Sequence, residues 1–172
     1  MKSNTLKLPA ILYHGTNAYF DVFDLYFRGS NIGYPNTVYG IFFTENLEHA
    51  QMFGSRIISV SLNITNPINL SNQGIFTIES QAPVIWEILS GERLSPKKAL
   101  RMLDKNIGLG EIAEAHATLN TMEASNLIKS RGYDSMVSDM GQGNLEYVAF
   151  YPDQICVQDI NFFNQNKRVS SK

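Results

Sequence analysis

The chain has 172 residues, of which 44% are hydrophobic and 17% charged. This length and apolar content suffice for one domain with a hydrophobic core, and they argue against long disordered segments. The formal net charge of −2 provides no strongly basic surface of the kind that binds a nucleic-acid backbone. No segment approaches the roughly 20 apolar residues of a membrane span, and the N-terminus lacks the apolar core of a signal peptide. We therefore expect a cytoplasmic protein, or one delivered into a target cell without a cleaved signal peptide.

The first third of the chain predicts short strands joined by aromatic-rich turns. Residues 10–13 and 38–43 are apolar runs typical of buried strands. Between them, residues 17–27 are rich in aromatic side chains and predict a turn or a short helix packed on the core. Thr44 is predicted to cap a helix that runs to about Phe53.

Helical patterns dominate the middle of the chain, after an alternating, β-rich segment at residues 56–64. Four segments have helical spacing of apolar residues: 76–89, 96–103, 111–119 and 122–130. We interpret residues 71–131 as a helical insertion within a single domain, 1–163. Strands are predicted again at 135–137, 146–150 and 154–157, and the polar residues 164–172 are expected to form a flexible tail.

Glu146 is a lone carboxylate at the start of a predicted apolar strand. One interpretation is a carboxylate that projects into a cleft and takes part in chemistry. The alternative is an ordinary solvent-facing Glu on a half-buried strand. The local pattern by itself favours the alternative, since Glu is rarely buried without a partner.

His14 ends the first predicted strand and is followed by Gly15 and Thr16. A His at a strand end commonly bonds the backbone. A Gly directly after a strand either supplies an unusual backbone conformation or allows a ligand to approach the backbone closely.

Other common sites are not indicated by the sequence. The three His and one Cys have no metal-ligand spacing, so we expect no metal. Neither GxGxxG nor GxxxxGK[ST] occurs, which argues against Rossmann and P-loop nucleotide sites. Cys156 can form no intrachain disulfide and is predicted to be a small buried residue of a strand.

Three segments together form a more specific pattern than any one of them. They are Tyr-His-Gly-Thr at 13–16, Gly-Ile-Phe-Phe-Thr at 40–44 and Glu-Tyr-Val-Ala-Phe at 146–150. Their order resembles the ADP-ribosyltransferase superfamily, specifically its His-Tyr-Glu branch, which includes diphtheria-type toxins, poly(ADP-ribose) polymerases and small bacterial or phage-encoded mono-ADP-ribosyltransferases. The resemblance covers about 11–53 and 133–157. It implies an α+β fold, a split β-sandwich with the helical insertion in the middle of the chain.

The resemblance also implies a role for each matching residue. His14 would bond the adenosine ribose of NAD+, the Gly15 backbone would hold the nicotinamide carboxamide, and Glu146 would be catalytic. Phe42, in place of the branch's Tyr, and Phe53 would stack on the nicotinamide ring. Two further sets follow from the same likeness. Thr16, Phe43 and Thr44 would complete the NAD+ pocket, and an acceptor-facing loop would contain Gly141, Gln142, Gly143 and Asn144.

This likeness implies a mono-ADP-ribosyltransferase that cleaves NAD+ and modifies a macromolecular acceptor, protein rather than nucleic acid. Its setting would be that of a toxin, effector or phage-related factor, with a neutralising antitoxin or immunity protein as a further partner. Asn144 stands where the arginine-specific branch has a Glu, which argues against arginine as acceptor. Two alternatives stay open: an NAD+ glycohydrolase, and a non-catalytic domain that binds NAD+ or a protein. Phe42 and Ala50, which replaces a Ser of some relatives, motivate the second alternative.

Overall fold

The computed structural model describes residues 8–28, 35–139 and 144–163. These residues form seven strands: β1 Leu12–Thr16, β2 Ile41–Thr44, β3 Arg56–Leu62, β4 Pro67–Asn69, β5 Ser135–Asp139, β6 Leu145–Ala149 and β7 Ile155–Phe162. The α-helices are α1 Leu47–Gln51, α2 Asn72–Thr77, α3 Ala82–Ser90, α4 Pro96–Asn106, α5 Ile112–Leu119 and α6 Met122–Ser130. Short 3-10 turns lie at Leu25–Phe27, Pro35–Val38 and Pro152–Gln154. None of the helices in this part of the chain is both long and apolar enough to cross a membrane.

The sheet has the order β4-β5-β6-β2-β1-β3-β7 and is divided at its centre. β1 pairs with β3 along its whole length, but it meets β2 at a single residue pair, Tyr13 with Thr44. β2 in turn pairs with β6 along its whole length. The strands thus form two groups that separate between β1 and β2, and the predicted α+β class with a split sheet is confirmed.

Two hydrophobic clusters lie on opposite faces of β2. Side chains alternate across a strand, so Phe42 packs against a cluster formed largely by α2–α6, whereas Phe43 belongs to an aromatic cluster with Phe23 and Leu12. On β6, Val148 joins the first cluster and Tyr147 the second. Burial of each such side chain contributes roughly 1.5 to 3 kcal/mol. Phe42 and Phe43 therefore lie on opposite faces of the sheet.

The predicted helix at 76–89 is wrong as a single element, because α2 ends at Thr77 and α3 begins at Ala82. Gln81, which is buried, lies at the break. Its amide bonds both backbone groups of Asn69, at 2.9 and 2.6 Å, and donates to the Gly74 carbonyl at 3.2 Å. This contact with β4 interrupts a pattern that is locally compatible with one helix.

Two smaller predictions are also corrected. The cap of α1 is Asn46, whose side chain accepts from the N–H groups of Glu48 and His49, while Thr44 accepts from the N–H of Asn46. Cys156 is exposed, because β7 is the edge of the sheet.

Candidate active site

A cavity of about 520 Å³ lies beside the split between β1 and β2, within the usual size range of small-molecule sites. Eight of the predicted site residues line it: His14, Gly15, Thr16, Phe42, Phe43, Thr44, Phe53 and Glu146. The fold therefore brings the early His and the late Glu to one cavity. Asn144 is not among the lining residues, and Gly141, Gln142 and Gly143 lie outside the described residues.

The His14 ring crosses the split in the sheet. Its Nδ1 lies 2.9 Å from the Phe42 carbonyl oxygen, and its ring contacts those of Phe23 and Phe43. Burial lowers the pKa of His14; the bond to Phe42 opposes this shift, and the charge of Arg56 adds to it. A neutral imidazole that donates from Nδ1 has an acceptor at Nε2. His14 can therefore accept a hydrogen bond from a hydroxyl group.

Gly15 is required by the packing of α1 on β1. A Cβ atom at this position would lie 1.7 Å from the Ala50 carbonyl oxygen. A second glycine, Gly54, has the same function, because its Cβ would lie 2.1 Å from the Thr16 carbonyl carbon. This close backbone approach brings Ala50 and Phe53 to the cavity. Packing thus explains the glycine that sequence reasoning assigns to ligand approach.

Glu146 lies on β6 between two neighbours in the sheet, Thr44 on β2 and Ser138 on β5. The Ser138 hydroxyl donates to Glu146 Oε2 at 2.9 Å. Burial raises the pKa of Glu146, whereas the bond from Ser138 and the charge of His49 oppose that shift. A half-buried carboxylate at a cavity is suited to stabilising a positive charge that develops on a substrate.

An aromatic loop forms a wall of the cavity that the sequence does not assign to the site. Phe23 packs in the core as predicted, but Tyr19 and Phe27 are 81% and 63% exposed, and all three line the cavity. Arg56, which is 5% exposed, holds this loop. Its guanidinium donates to the carbonyls of Ala18 and Phe20 at 3.2 and 2.7 Å. The aromatic density of residues 17–27 is the sequence signal that could have located this wall.

The charges around the cavity are unevenly distributed. Arg28 lines it and lies near Lys129, whose pKa is lowered by burial and then by Arg28. The Lys129 ammonium is 5.0 Å from the centre of the Phe150 ring, and Phe150 lies four residues beyond Glu146, about 13 Å along an extended chain. Asp24, which also lines the cavity, accepts from the N–H of Tyr26. The cavity is therefore lined by Arg28 as well as by the carboxylates Asp24, Asp139 and Glu146, and Lys129 lies beside Phe150.

No three His, Cys, Asp or Glu side chains in the described part of the chain are arranged to hold a metal ion.

Comparison with known proteins identifies one family. The family model described as "ADP-Ribosyltransferase in polyvalent proteins" matches residues 8–164. No curated protein matches the chain.

Two solved structures show a distant similarity. One is a crystal structure of an anti-CRISPR protein, 17% identical, with a TM-score of 0.45 over 86% of this chain and 93% of that one. The other is the M. tuberculosis MbcT–MbcA toxin–antitoxin complex, 8% identical, with a TM-score of 0.46 over 90% of this chain and 82% of that one. At these TM-scores neither similarity bears on the function of this chain.

Proposed function

Because the chain belongs to the family of ADP-ribosyltransferases in polyvalent proteins, we propose that it binds NAD+, breaks the nicotinamide–ribose bond and transfers ADP-ribose to a macromolecular acceptor. One observation carries the proposal: His14, Phe42 and Glu146, from three different strands, line one cavity at the split of the sheet. These are the residue types and the order that the His-Tyr-Glu pattern requires, apart from Phe at 42.

The chemistry assigned to Glu146 follows from the charge of the transition state. Nicotinamide leaves with the bonding electron pair, and the ribose C1′ becomes electron-poor, as in glycoside hydrolysis. The Glu146 carboxylate would stabilise this positive charge and accept a hydrogen bond from the ribose 2′-hydroxyl. Since burial raises its pKa, we expect activity to be lost as the pH falls through that raised value.

The remaining cavity residues would hold NAD+ in this proposal. Nε2 of His14 would accept from a hydroxyl of the adenosine ribose, because Nδ1 is bonded to Phe42. The rings of Phe42 and Phe53 would stack on nicotinamide without a phenolic hydroxyl. Arg28, which lines the cavity, would attract the pyrophosphate, with the nearby Lys129 adding to the positive charge.

The acceptor is proposed to be a protein, which the net charge of −2 favours over broad nucleic-acid binding. It would approach beside Asp139, which lines the cavity at the end of β5. A toxin, effector or phage-related setting, and a neutralising partner protein, remain predictions of the same proposal.

The test follows the ADP-ribose part of NAD+ with a tag attached to its adenine. Wild type, Glu146→Gln and the control Glu92→Gln, an exposed carboxylate in the loop after α3, are incubated with tagged NAD+ and a cell lysate. We expect nicotinamide release and tagged macromolecules with wild type and the control, and neither with Glu146→Gln. Sensitivity of the tagged product to protease rather than nuclease would identify a protein acceptor.

Two outcomes would change the proposal. Tagged ADP-ribose that is released in solution and never attached identifies a glycohydrolase. Intact NAD+ in every lysate, together with measurable NAD+ binding, identifies a non-catalytic binding domain.

A further inference from the structure

We propose that Ser138 is a positioning residue for Glu146, and that its hydroxyl holds the carboxylate in the orientation that faces the cavity. This inference rests on the proposed function, since it assigns Glu146 the catalytic role. It concerns a strand, β5, to which the sequence pattern assigns no part in the site.

The sheet register places the two side chains together. Ser138 is directly opposite Glu146 in the antiparallel pair of β5 and β6, and residues opposite each other point to the same face of a sheet. The distance from the Ser138 hydroxyl to Oε2 is 2.9 Å. Because both partners are held by paired backbone, the bond fixes one carboxylate oxygen relative to the sheet.

Ser138 is the second serine of β5, whose sequence is Ser-Met-Val-Ser-Asp. The preceding residues Met136 and Val137 are buried apolar residues, and β-branched or aromatic residues are the usual choice for continuing such a strand. Serine at 138 gives up packing and β propensity but supplies a hydrogen-bond donor. The bond to Glu146 is the contact that this hydroxyl makes in place of apolar packing.

The hydroxyl of the other cross-strand neighbour of Glu146 makes a hydrogen bond elsewhere. Thr44 is opposite Glu146 on β2, and its hydroxyl accepts the N–H of Asn46 at 3.1 Å, where the chain turns into α1. Ser138 is thus the cross-strand neighbour that bonds the carboxylate. With Oε2 held by Ser138, Oε1 is the oxygen that can face the ribose.

Electrostatics adds a second effect of the same bond. Burial raises the pKa of Glu146, and the Ser138 hydroxyl opposes this because a donor stabilises the ionised form. The charge of His49 on α1 acts in the same direction. The other titratable groups that line the cavity with Glu146 are Tyr13, His14, Tyr19, Asp24, Arg28 and Asp139. Removal of the hydroxyl should raise the pKa of Glu146 further.

The test compares Ser138→Ala and Ser138→Thr with wild type, and uses Ser59→Ala on β3 as a control. Nicotinamide release is measured as kcat and KM across pH. We expect Ser138→Ala to lower kcat roughly tenfold at neutral pH, about the effect of one lost hydrogen bond, with little change in KM. In Ser138→Ala, the acidic limb of the plot of kcat against pH should move to higher pH. Ser138→Thr, which keeps the hydroxyl, should restore both properties, and Ser59→Ala should match wild type.

A second measurement does not depend on turnover. The side-chain carboxyl of Glu146, assigned by its loss in Glu146→Gln, is titrated by NMR in wild type and in Ser138→Ala. A higher pKa in the variant supports the inference. A loss of kcat without movement of either the acidic limb or the carboxyl titration would overturn it, as would an unchanged kcat. If wild type releases no nicotinamide, the proposed function fails, and the carboxyl titration still decides the role of Ser138.

Discussion

Asp134 and Glu146 are two half-buried carboxylates near opposite ends of the β5–β6 pair, and their surroundings differ. Asp134 precedes β5 and accepts four hydrogen bonds, from the N–H and hydroxyl of Thr65, the N–H of Asn66 and the hydroxyl of Ser135, at 2.7 to 2.9 Å. Burial acts to raise its pKa, but the bonds from Thr65, Ser135 and Asn66 outweigh it, so the pKa is lowered. Burial instead raises the pKa of Glu146, whose bond from Ser138 does not compensate.

The difference separates a structural carboxylate from a candidate catalytic one. Asp134 uses its oxygens to tie the turn between β3 and β4 to the start of β5. Glu146 faces the cavity and keeps acceptor capacity for a substrate. Glu146 is the more deeply buried of the two carboxylates and has fewer donors around it. Both differences distinguish a carboxylate that is available to a substrate from one whose oxygens are bonded within the fold.

The largest expected effect is on turnover. Glu146→Gln should lower kcat for nicotinamide release at least about 100-fold, because the charge that stabilises the transition state is removed. Asp134→Asn should leave the kcat of the folded protein within about twofold, since its bonds lie outside the cavity. Initial rates normalised to the folded fraction measure both. A similar loss in the two variants would remove the distinction between the carboxylates.

A smaller effect is expected on stability at neutral pH, and here Asp134→Asn should have a larger effect than Glu146→Gln. Asp134→Asn should lower the free energy of unfolding by on the order of 1 to 3 kcal/mol, because an amide cannot accept from all four donors. Glu146→Gln should leave it unchanged or raise it, since an ionised Glu146 is disfavoured by burial in the folded state. Urea unfolding of the two variants and wild type is the measurement, and a strongly destabilised Glu146→Gln would contradict this account.

The smallest expected effect is the change with pH in the stability differences between wild type and these two variants. The folded-state pKa of Asp134 is lowered, so its stabilisation is present above the unfolded pKa and is lost as the pH falls through the folded value. The folded-state pKa of Glu146 is raised, so its contribution is present below the unfolded pKa and is lost as the pH rises through the folded value.

Between neutral pH and about pH 4, the stability gap between wild type and Asp134→Asn should therefore shrink on acidification. Wild type should instead gain stability relative to Glu146→Gln over the same range. Unfolding free energies at several pH values test the signs, and gaps that move in the same direction would show that one of the two shifts has been assigned wrongly.

Elements with strong local periodicity were predictable. The helix at 122–130 has the predicted bounds, and α4 begins at Pro96 as expected, because the spacing of apolar residues records which face of a helix is buried. The break between α2 and α3 was not predictable, since it depends on hydrogen bonds from Gln81 to β4. A turn or short helix was predicted at residues 17–27, but its place on the cavity wall was not, because Arg56 holds it there from another strand.

By itself the sequence determined the α+β class and the pattern that links His14, Phe42 and Glu146 with ADP-ribosyltransferases. Only the tertiary structure decided that these residues share a cavity, that α1 requires Gly15, and that Ser138 bonds Glu146 whereas Asp134 serves the turn. The physical reason is the separation along the chain between the residues that interact. Periodicity and capping depend on neighbours within a few residues, while the donors around a carboxylate come from strands whose pairing no local pattern specifies.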